Sequence, residues 1–423
     1  MTEANEQVQP HNDARAQACD TGAPVRVLLV APSLDILGGQ AVQAARLFER
    51  LRREPALAVS FLPINPRLPG VLGNLQRIKY VRTIVTSLCY VAMLLTRVRR
   101  HDVIHVFSAS YLSFILAPTP AILIARLYGK KVVLNYRSGE AADHLTRWRR
   151  TALPIVRLAD AVAVPSGYLV DVFACFNLRA RSIFNFVDTD RFRFRHRSPL
   201  RPVFLSNRNL EPLYNIACTL RAFALIQAQY ADARLIVAGD GSQRNALEQL
   251  ARELQLRNVD FVGRVEQARM HEWYDAADVY LNTPNIDNMP GSIIEAFAAG
   301  LPVVTTDAGG IPYIVTDGAT GRIVPRDDHA ALAAAALNLL EDEAAAGRLA
   351  AAAHTECRKY SWTAVRAEWL QLYRELALAP KSDSNARASL LDEGEKSMLR
   401  LAFAACCLAP LVAGLLEAHG QGV

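Results

Sequence analysis

The chain's apolar residues fall in short runs rich in Val, Ile and Leu, and each run is followed by a stretch long enough for a helix. In the first half the runs are Val25–Ala31, Leu57–Leu62, Val103–Phe107, Lys131–Tyr136, Ala161–Pro165 and Ser182–Phe184. In the second they are Val203–Ser206, Ala233–Ala238, Val259–Val262, Val279–Asn282, Pro302–Thr306 and Gly321–Pro325. Strands that are apolar on both faces and separated by helices build parallel sheets covered on both sides. Two such series predict an α/β chain with two doubly wound, Rossmann-like domains, residues 25–200 and 201–360, meeting near the polar stretch 188–202. In open sheets of this class ligands bind beyond the carboxyl ends of the strands, so the natural site is the cleft between the domains. After residue 360, Trp362, Val365, Trp369, Leu372 and Leu376 recur at spacings of 3 and 4. That is the apolar stripe of a helix over 361–378 that docks on a partner surface.

With 423 residues, 51% of them apolar, the chain has ample material for two cores, and global disorder is excluded. The seven cysteines are scattered without a C-x-x-C, which argues against a disulfide framework or a structural zinc site and for a reducing cytoplasm. Residues 1–24 are polar and read as a disordered lead, and 380–397 as a linker. The tail 398–423 contains sixteen uncharged residues, 401–416, broken by Pro410 and Gly414. A spanning helix needs roughly 20 residues, so both a membrane-dipping tail and a docked terminal helix stay open. The net charge of +6 is locally concentrated: residues 66–100 hold Arg67, Arg77, Lys79, Arg82, Arg97, Arg99 and Arg100 and no acid. Val81, Ile84, Val85, Leu88, Val91, Ala92 and Leu95 form an apolar stripe among them. This pattern fits a helix lying on an anionic membrane surface, and equally a helix packed on its own sheet. Its aliphatic rather than aromatic interleaving argues against nucleic acid.

The densest chemistry lies in Leu281–Gly300, LNTPNIDNMPGSIIEAFAAG. A strand ends in a polar loop that enters a helix near Pro290–Ser292, and proline suits a first helical turn. Free N–H groups at such a start, with the helix dipole behind them, form a phosphate site. Asp287 and Glu295, eight residues apart, would bracket that start and could accept hydrogen bonds from sugar hydroxyls. Asp188 and Asp190 spell D-x-D, but in the interdomain linker, where a structural role is expected in place of metal binding. His105, inside a strand, is expected to be a core histidine.

D-x7-E followed by AFAAGLPVVTTDAGGIP resembles the signature of family-four retaining glycosyltransferases of GT-B fold, usually E-x7-E. The segments VLLVAPSLDILGGQ, VIHVFSAS, VVLNYRSGE, VPSGYLVDVF, IFNFVDTDRF, LIVAGDG and VDFVGRV follow in the family's order, so the resemblance covers residues 25–378. It implies that the last helix crosses back to complete the first domain. It assigns Glu295 to ribose hydroxyls, Asp287 to the donor sugar, and the N–H groups of Met289, Gly291 and Ser292 to sugar and phosphate. Pro290, Ile293 and Gly239 would belong to the same donor site, Phe261 would frame the base, and Gly38 and Gly39 would let the first domain approach the diphosphate. Arg208 matches the arginine of an Arg…Lys pair gripping the diphosphate, while Leu213, Tyr214 and Asn215 stand where the lysine is expected. Arg137 or Glu140 would position the acceptor, near where many relatives carry a histidine.

The resemblance thus implies a metal-independent, retaining hexosyltransferase-type enzyme with no cofactor beyond its nucleotide-diphosphate sugar. Its acceptor would be lipid-linked or a polysaccharide. The enzyme would be cytoplasmic and peripheral at the inner face of the membrane through 66–100 and 398–417. Two alternatives stay open: a nucleotide-sugar epimerase on the same scaffold, and a catalytically silent nucleotide-sugar-binding subunit.

Overall fold

The computed structural model describes residues 23–33, 39–67 and 78–379. Gly38, most of the lead, Arg77, the linker and the tail lie outside the described residues.

All twelve expected strands form, six in each of two parallel sheets. The first sheet holds β1 (Val25–Ala31), β2 (Leu57–Pro63), β3 (Val103–Ser108), β4 (Lys131–Tyr136), β5 (Ala161–Val164) and β6 (Arg181–Ser182), in the order 2-1-3-4-5-6. The second holds β7 (Val203–Ser206), β8 (Arg234–Ala238), β9 (Val259–Gly263), β10 (Val279–Asn282), β11 (Val303–Thr306) and β12 (Arg322–Val324), in the order 12-11-10-7-8-9. Three prolines expected at strand limits fall outside the ladders: Pro165 and Pro325 at strand ends and Pro302 at a strand start. A ring nitrogen has no N–H to donate, so the pairing stops beside it.

Five helices matter to the site: α1 (Gly39–Leu51), α2 (Lys79–Arg97), α3 (Met270–Ala276), α4 (Gly291–Ala299) and α5 (Trp362–Leu378). The stripe on α5 buries Val365, Trp369, Leu372 and Leu376, together with Tyr373, in one cluster with Val27, Leu29 and Phe107 of the first sheet. The chain therefore returns from the second domain to close the first. Ser361 caps this helix by accepting from the Ala364 N–H at 3.3 Å. His105 is fully buried and stacks between Phe107 and Trp369. Its Nε2 accepts from the Asn135 amide at 3.0 Å, which leaves Nδ1–H to donate to the Tyr373 hydroxyl at 2.6 Å. The core role expected of it is what the fold gives it.

Candidate active site

In each sheet the strand order reverses beside the first strand, between β1 and β3 and between β7 and β10. Loops from the carboxyl ends of these strands face one another across a cleft of about 980 Å³. The first domain contributes the start of α1, the turn 109–113 after β3 and the turn 137–140 after β4. The second contributes 207–214, 238–241, 264–270 and 286–295.

Helix α4 forms the floor. Pro290 is extended (φ −68°, ψ 114°) and stands just before the helix instead of inside its first turn, so Gly291 is the first helical residue. The Ile293 N–H bonds to the Pro290 carbonyl at 3.2 Å. For the N–H groups of Met289, Gly291 and Ser292, no acceptor is found among the described residues. These are the donors a helix start leaves over, and here they line the cleft.

Both acids reach this mouth, each already held by protein. Asp287 accepts from Arg208 Nη2 at 2.5 Å and from the Asn288 N–H at 2.8 Å. Arg208 also donates from Nη1 to the Ser292 hydroxyl at 3.0 Å and lies 4.1 Å over the Tyr214 ring. Burial works against its charge, but Asp287 and the surrounding tyrosines more than offset that, and its pKa is raised. Glu295, one turn inside α4, accepts from Arg46 of α1 at 3.0 Å and from Gln267 at 3.1 Å. Tyr274 of α3 has its hydroxyl 3.0 Å from Glu295 Oε2 and accepts from Asn207 at 2.8 Å. Burial, then the Glu295 charge, raises the Tyr274 pKa well above its ordinary value.

Gly239, Gly39, Arg137 and Glu140 line the same cleft. Gly239 has φ +146°, and a Cβ there would stand 2.1 Å from the Arg208 carbonyl oxygen, so only glycine lets the β8 turn support the Arg208 loop. Gly39 has nothing within 4 Å of where its Cβ would be. Glu140 is exposed. Two residues expected at the donor site stand away from the cleft lining. Phe261 lies outside the cleft lining, packed against the core that contains Leu247 and Ala251, because strand alternation sends its ring to the helix-covered side. Residues 264–267 take its place at the cleft wall. Ile293 is fully buried beneath α4, and its N–H is used within the first turn. Asp188 of the D-x-D pairs with Arg50 at 2.7 Å and stands 3.9 Å from Arg191.

Arg46, Tyr274, Gln267 and Tyr214 were not legible as site residues. Arg46 lies two turns into α1 among aliphatic positions, and its partner is in the other domain. Tyr214 stands in the very segment where a lysine was missing, and its ring supports Arg208 from below.

Comparison with known proteins adds an independent line. Residues 188–356 match the family described as Glycosyl transferases group 1. The chain is 29% identical over 256 residues to the phosphatidyl-myo-inositol mannosyltransferase of Mycolicibacterium smegmatis, covering 60% of each chain. It is 28% identical over 291 residues to glycogen synthase of Mycobacterium tuberculosis, covering 65% of this chain and 69% of that one. The match thus spans about three fifths of the mannosyltransferase's length. Among solved structures, sucrose-phosphate synthase from Thermosynechococcus elongatus superposes with TM-score 0.69 at 19% identity, over 84% of this chain and all of the other. Anabaena Alr3699/HepE, solved with UDP and glucose, superposes with TM-score 0.65 at 18% identity, over 83% of this chain and all of the other. The two facing Rossmann-like domains are the GT-B fold.

Proposed function

We propose that the protein is a glycosyltransferase that moves a sugar from a nucleotide-diphosphate donor to a lipid-linked or saccharide acceptor, with retention of configuration and without a divalent ion. The observation that carries this reading is the trio of N–H groups at Met289, Gly291 and Ser292, without an acceptor among the described residues, beside Arg208 on the floor of the cleft. Match of the second domain to group 1 glycosyltransferases supports it. So do relatives named for mannosyl transfer to phosphatidyl-myo-inositol and for glycogen synthesis, and a neighbour solved with UDP and glucose.

The chain's own residues suggest how the reaction runs. A diphosphate placed at the α4 mouth would accept from the three amides, with the positive end of the helix dipole beneath it. The Arg208 guanidinium, held at the same mouth by Ser292, would stabilise the negative charge that develops as the glycosidic bond breaks. Glu295 and Asp287 would orient ribose and sugar hydroxyls, since a carboxylate offers about four lone-pair sites and can accept beyond its present partners. Attack on the same face as departure, with the leaving phosphate oxygen taking the acceptor's proton, accounts for retention without a covalent nucleophile. First-domain loops would bring the acceptor, and closure of the cleft would exclude water.

Helix α2 suggests where the acceptor lies. Val81–Arg100 is long and apolar enough to cross a bilayer by length and composition, with mean hydropathy 1.4. Yet Tyr90, Leu94 and Val98 are buried against the first-domain core, while Leu88 is 54% and Leu95 39% exposed. Both faces are thus apolar: the inner one is docked, and the outer one would rest on an anionic leaflet with Arg82, Arg99 and Arg100 around it, placing the protein peripherally at a membrane.

A panel of UDP-, GDP- and ADP-sugars scored by thermal shift tests the donor reading, because a ligand that binds only the native state raises its stability by mass action. One class of donor is expected to raise the melting temperature, and product is expected only when acceptor is added. Product without acceptor would support an epimerase instead; binding without turnover on any acceptor would support a silent subunit.

A further inference from the structure

Among the described residues four arginines line the cleft: Arg46, Arg137, Arg208 and Arg264. Arg46 is paired with Glu295 and Arg208 with Asp287, and Arg264 is exposed at the rim. Arg137 differs from all three. It is partly enclosed at the end of β4, and among the described residues no carboxylate lies within ion-pair distance of it. Neutral groups fix it instead. Its Nη2 donates to the Asn185 side-chain oxygen, its Nη1 to the Asn135 oxygen at 3.3 Å, and its guanidinium carbon stands 5.1 Å over the Phe107 ring. Asn135 is in turn held by His105, and through it by Tyr373 of α5. Such a setting orients the fork of a guanidinium without cancelling its charge. Burial without a counter-charge lowers the Arg137 pKa to about 9.

Position gives the cation a purpose. Asn185, which accepts from Arg137, donates its amide to the Met289 carbonyl at 3.1 Å. A single side chain thus ties the guanidinium to the residue just before the α4 mouth. The turn carrying Arg137 also packs on the loop of Asp287: a Cβ on Gly139 would stand 3.2 Å from the Asp287 backbone. The enclosed charge therefore faces the place where sugar and diphosphate would meet the acceptor.

We propose that Arg137 is the seat of a phosphate-type oxyanion on the first-domain wall of the cleft, opposite the amide mouth of α4. This deepens the glycosyltransferase reading and rests on it for the identity of the molecule that carries the anion. The oxyanion has two possible sources, the donor's diphosphate and a phosphate next to the reacting hydroxyl of the acceptor. Two of its five N–H donors are taken by Asn185 and Asn135, and the three left in the planar fork suit either.

The test uses full-length protein, Arg137→Gln and Arg137→Lys, titrated calorimetrically with inorganic pyrophosphate and with sn-glycerol 3-phosphate. Arg137→Gln is expected to bind one of these anions about tenfold or more weakly, the loss of charge-assisted hydrogen bonds, with Arg137→Lys in between. Loss on pyrophosphate identifies the donor as the source; loss on glycerol phosphate identifies the acceptor. Arg137→Lys keeps a cation, and carries the comparison alone where Arg137→Gln folds poorly. Equal binding of both anions by all three proteins, or binding by none, overturns the seat. Nucleotide sugars that still stabilise the wild-type protein would then leave the donor reading standing. Anion binding that depends on Arg137 in a protein no nucleotide sugar stabilises would keep the seat and remove that reading.

Discussion

Arg46 of the first domain and Glu295 of the second form an ion pair of 3.0 Å across the cleft, with their side chains only 11% and 7% exposed. Glu295 is also the residue that the family resemblance would assign to the donor's ribose. The same carboxylate therefore fastens one domain to the other and lines the cleft proposed to take the nucleotide. Removing one partner of a buried pair strands the other's charge, which costs about 3–5 kcal/mol. We expect Arg46→Gln and Glu295→Gln each to lower the melting temperature, and the double variant to lose less than the two losses combined. A coupling of about 0.5–3 kcal/mol in this cycle is the expected size, measured by denaturant unfolding of the four proteins. Strict additivity would mean that the contact does not hold the domains together. Glu295→Ala, by contrast, mixes loss of a ligand contact with an unpaired Arg46 and cannot separate the two.

Two glycines on the cleft wall should answer differently to alanine. At Gly239 the new Cβ meets the Arg208 carbonyl at 2.1 Å, so Gly239→Ala displaces the Arg208 loop, lowering both the melting temperature and nucleotide affinity. At Gly39 there is open space and a helix start, so the ligand-free melting temperature should hold. If the α1 backbone approaches the diphosphate there, Gly39→Ala weakens nucleoside-diphosphate binding by about tenfold. Unchanged binding would remove α1 from the donor site.

Stability should depend on pH through two histidines. Burial lowers the His105 pKa to about 3 and that of His144 to about 4, both below the ordinary 6.5. The folded state keeps them neutral while the unfolded chain protonates, so their contribution is full above about pH 6.5 and is lost as pH falls towards the folded values. Between pH 7 and pH 5 each should account for roughly 2 kcal/mol of lost stability. Denaturant unfolding at the two pH values checks this, and His105→Gln should remove about half of the difference. A pH-independent midpoint over that range would contradict the burial of both rings.

Leu88 and Leu95 stand exposed on α2, so Leu88→Asp and Leu95→Asp should leave the fold intact. Sedimentation with vesicles rich in anionic lipid is expected to show binding by the wild-type protein that weakens with salt and falls in both variants. Equal sedimentation of variant and wild type would move the membrane contact elsewhere.

The sequence was most legible where a single element decides the answer. Strand positions followed from runs of Val, Ile and Leu, and the α5 stripe from its 3–4 spacing, because burial on both faces leaves that pattern in the chain itself. The α4 mouth was legible for the same reason: a proline, a glycine and two flanking acids lie within nine residues. What stayed hidden depends on pairs far apart in the chain. Arg46 and Glu295 are 249 residues apart, and nothing in either segment announces the other. The direction of the Phe261 ring was not legible, because a motif gives a strand's address but not which face a side chain takes. Tyr214 was seen only as an absent lysine, although an aromatic ring beneath an arginine is a support of another kind.

At the centre stands the proposal that the amides of Met289, Gly291 and Ser292 at the α4 mouth receive a diphosphate without a divalent ion. Amide proton and nitrogen shifts of Met289, Gly291 and Ser292, followed by TROSY spectroscopy in EDTA, measure it directly as the matching nucleoside and nucleoside diphosphate are added. These three resonances are expected to move with the diphosphate and to stay in place with the nucleoside. Diphosphate binding that leaves them unmoved, or that moves them only once magnesium is supplied, would contradict it.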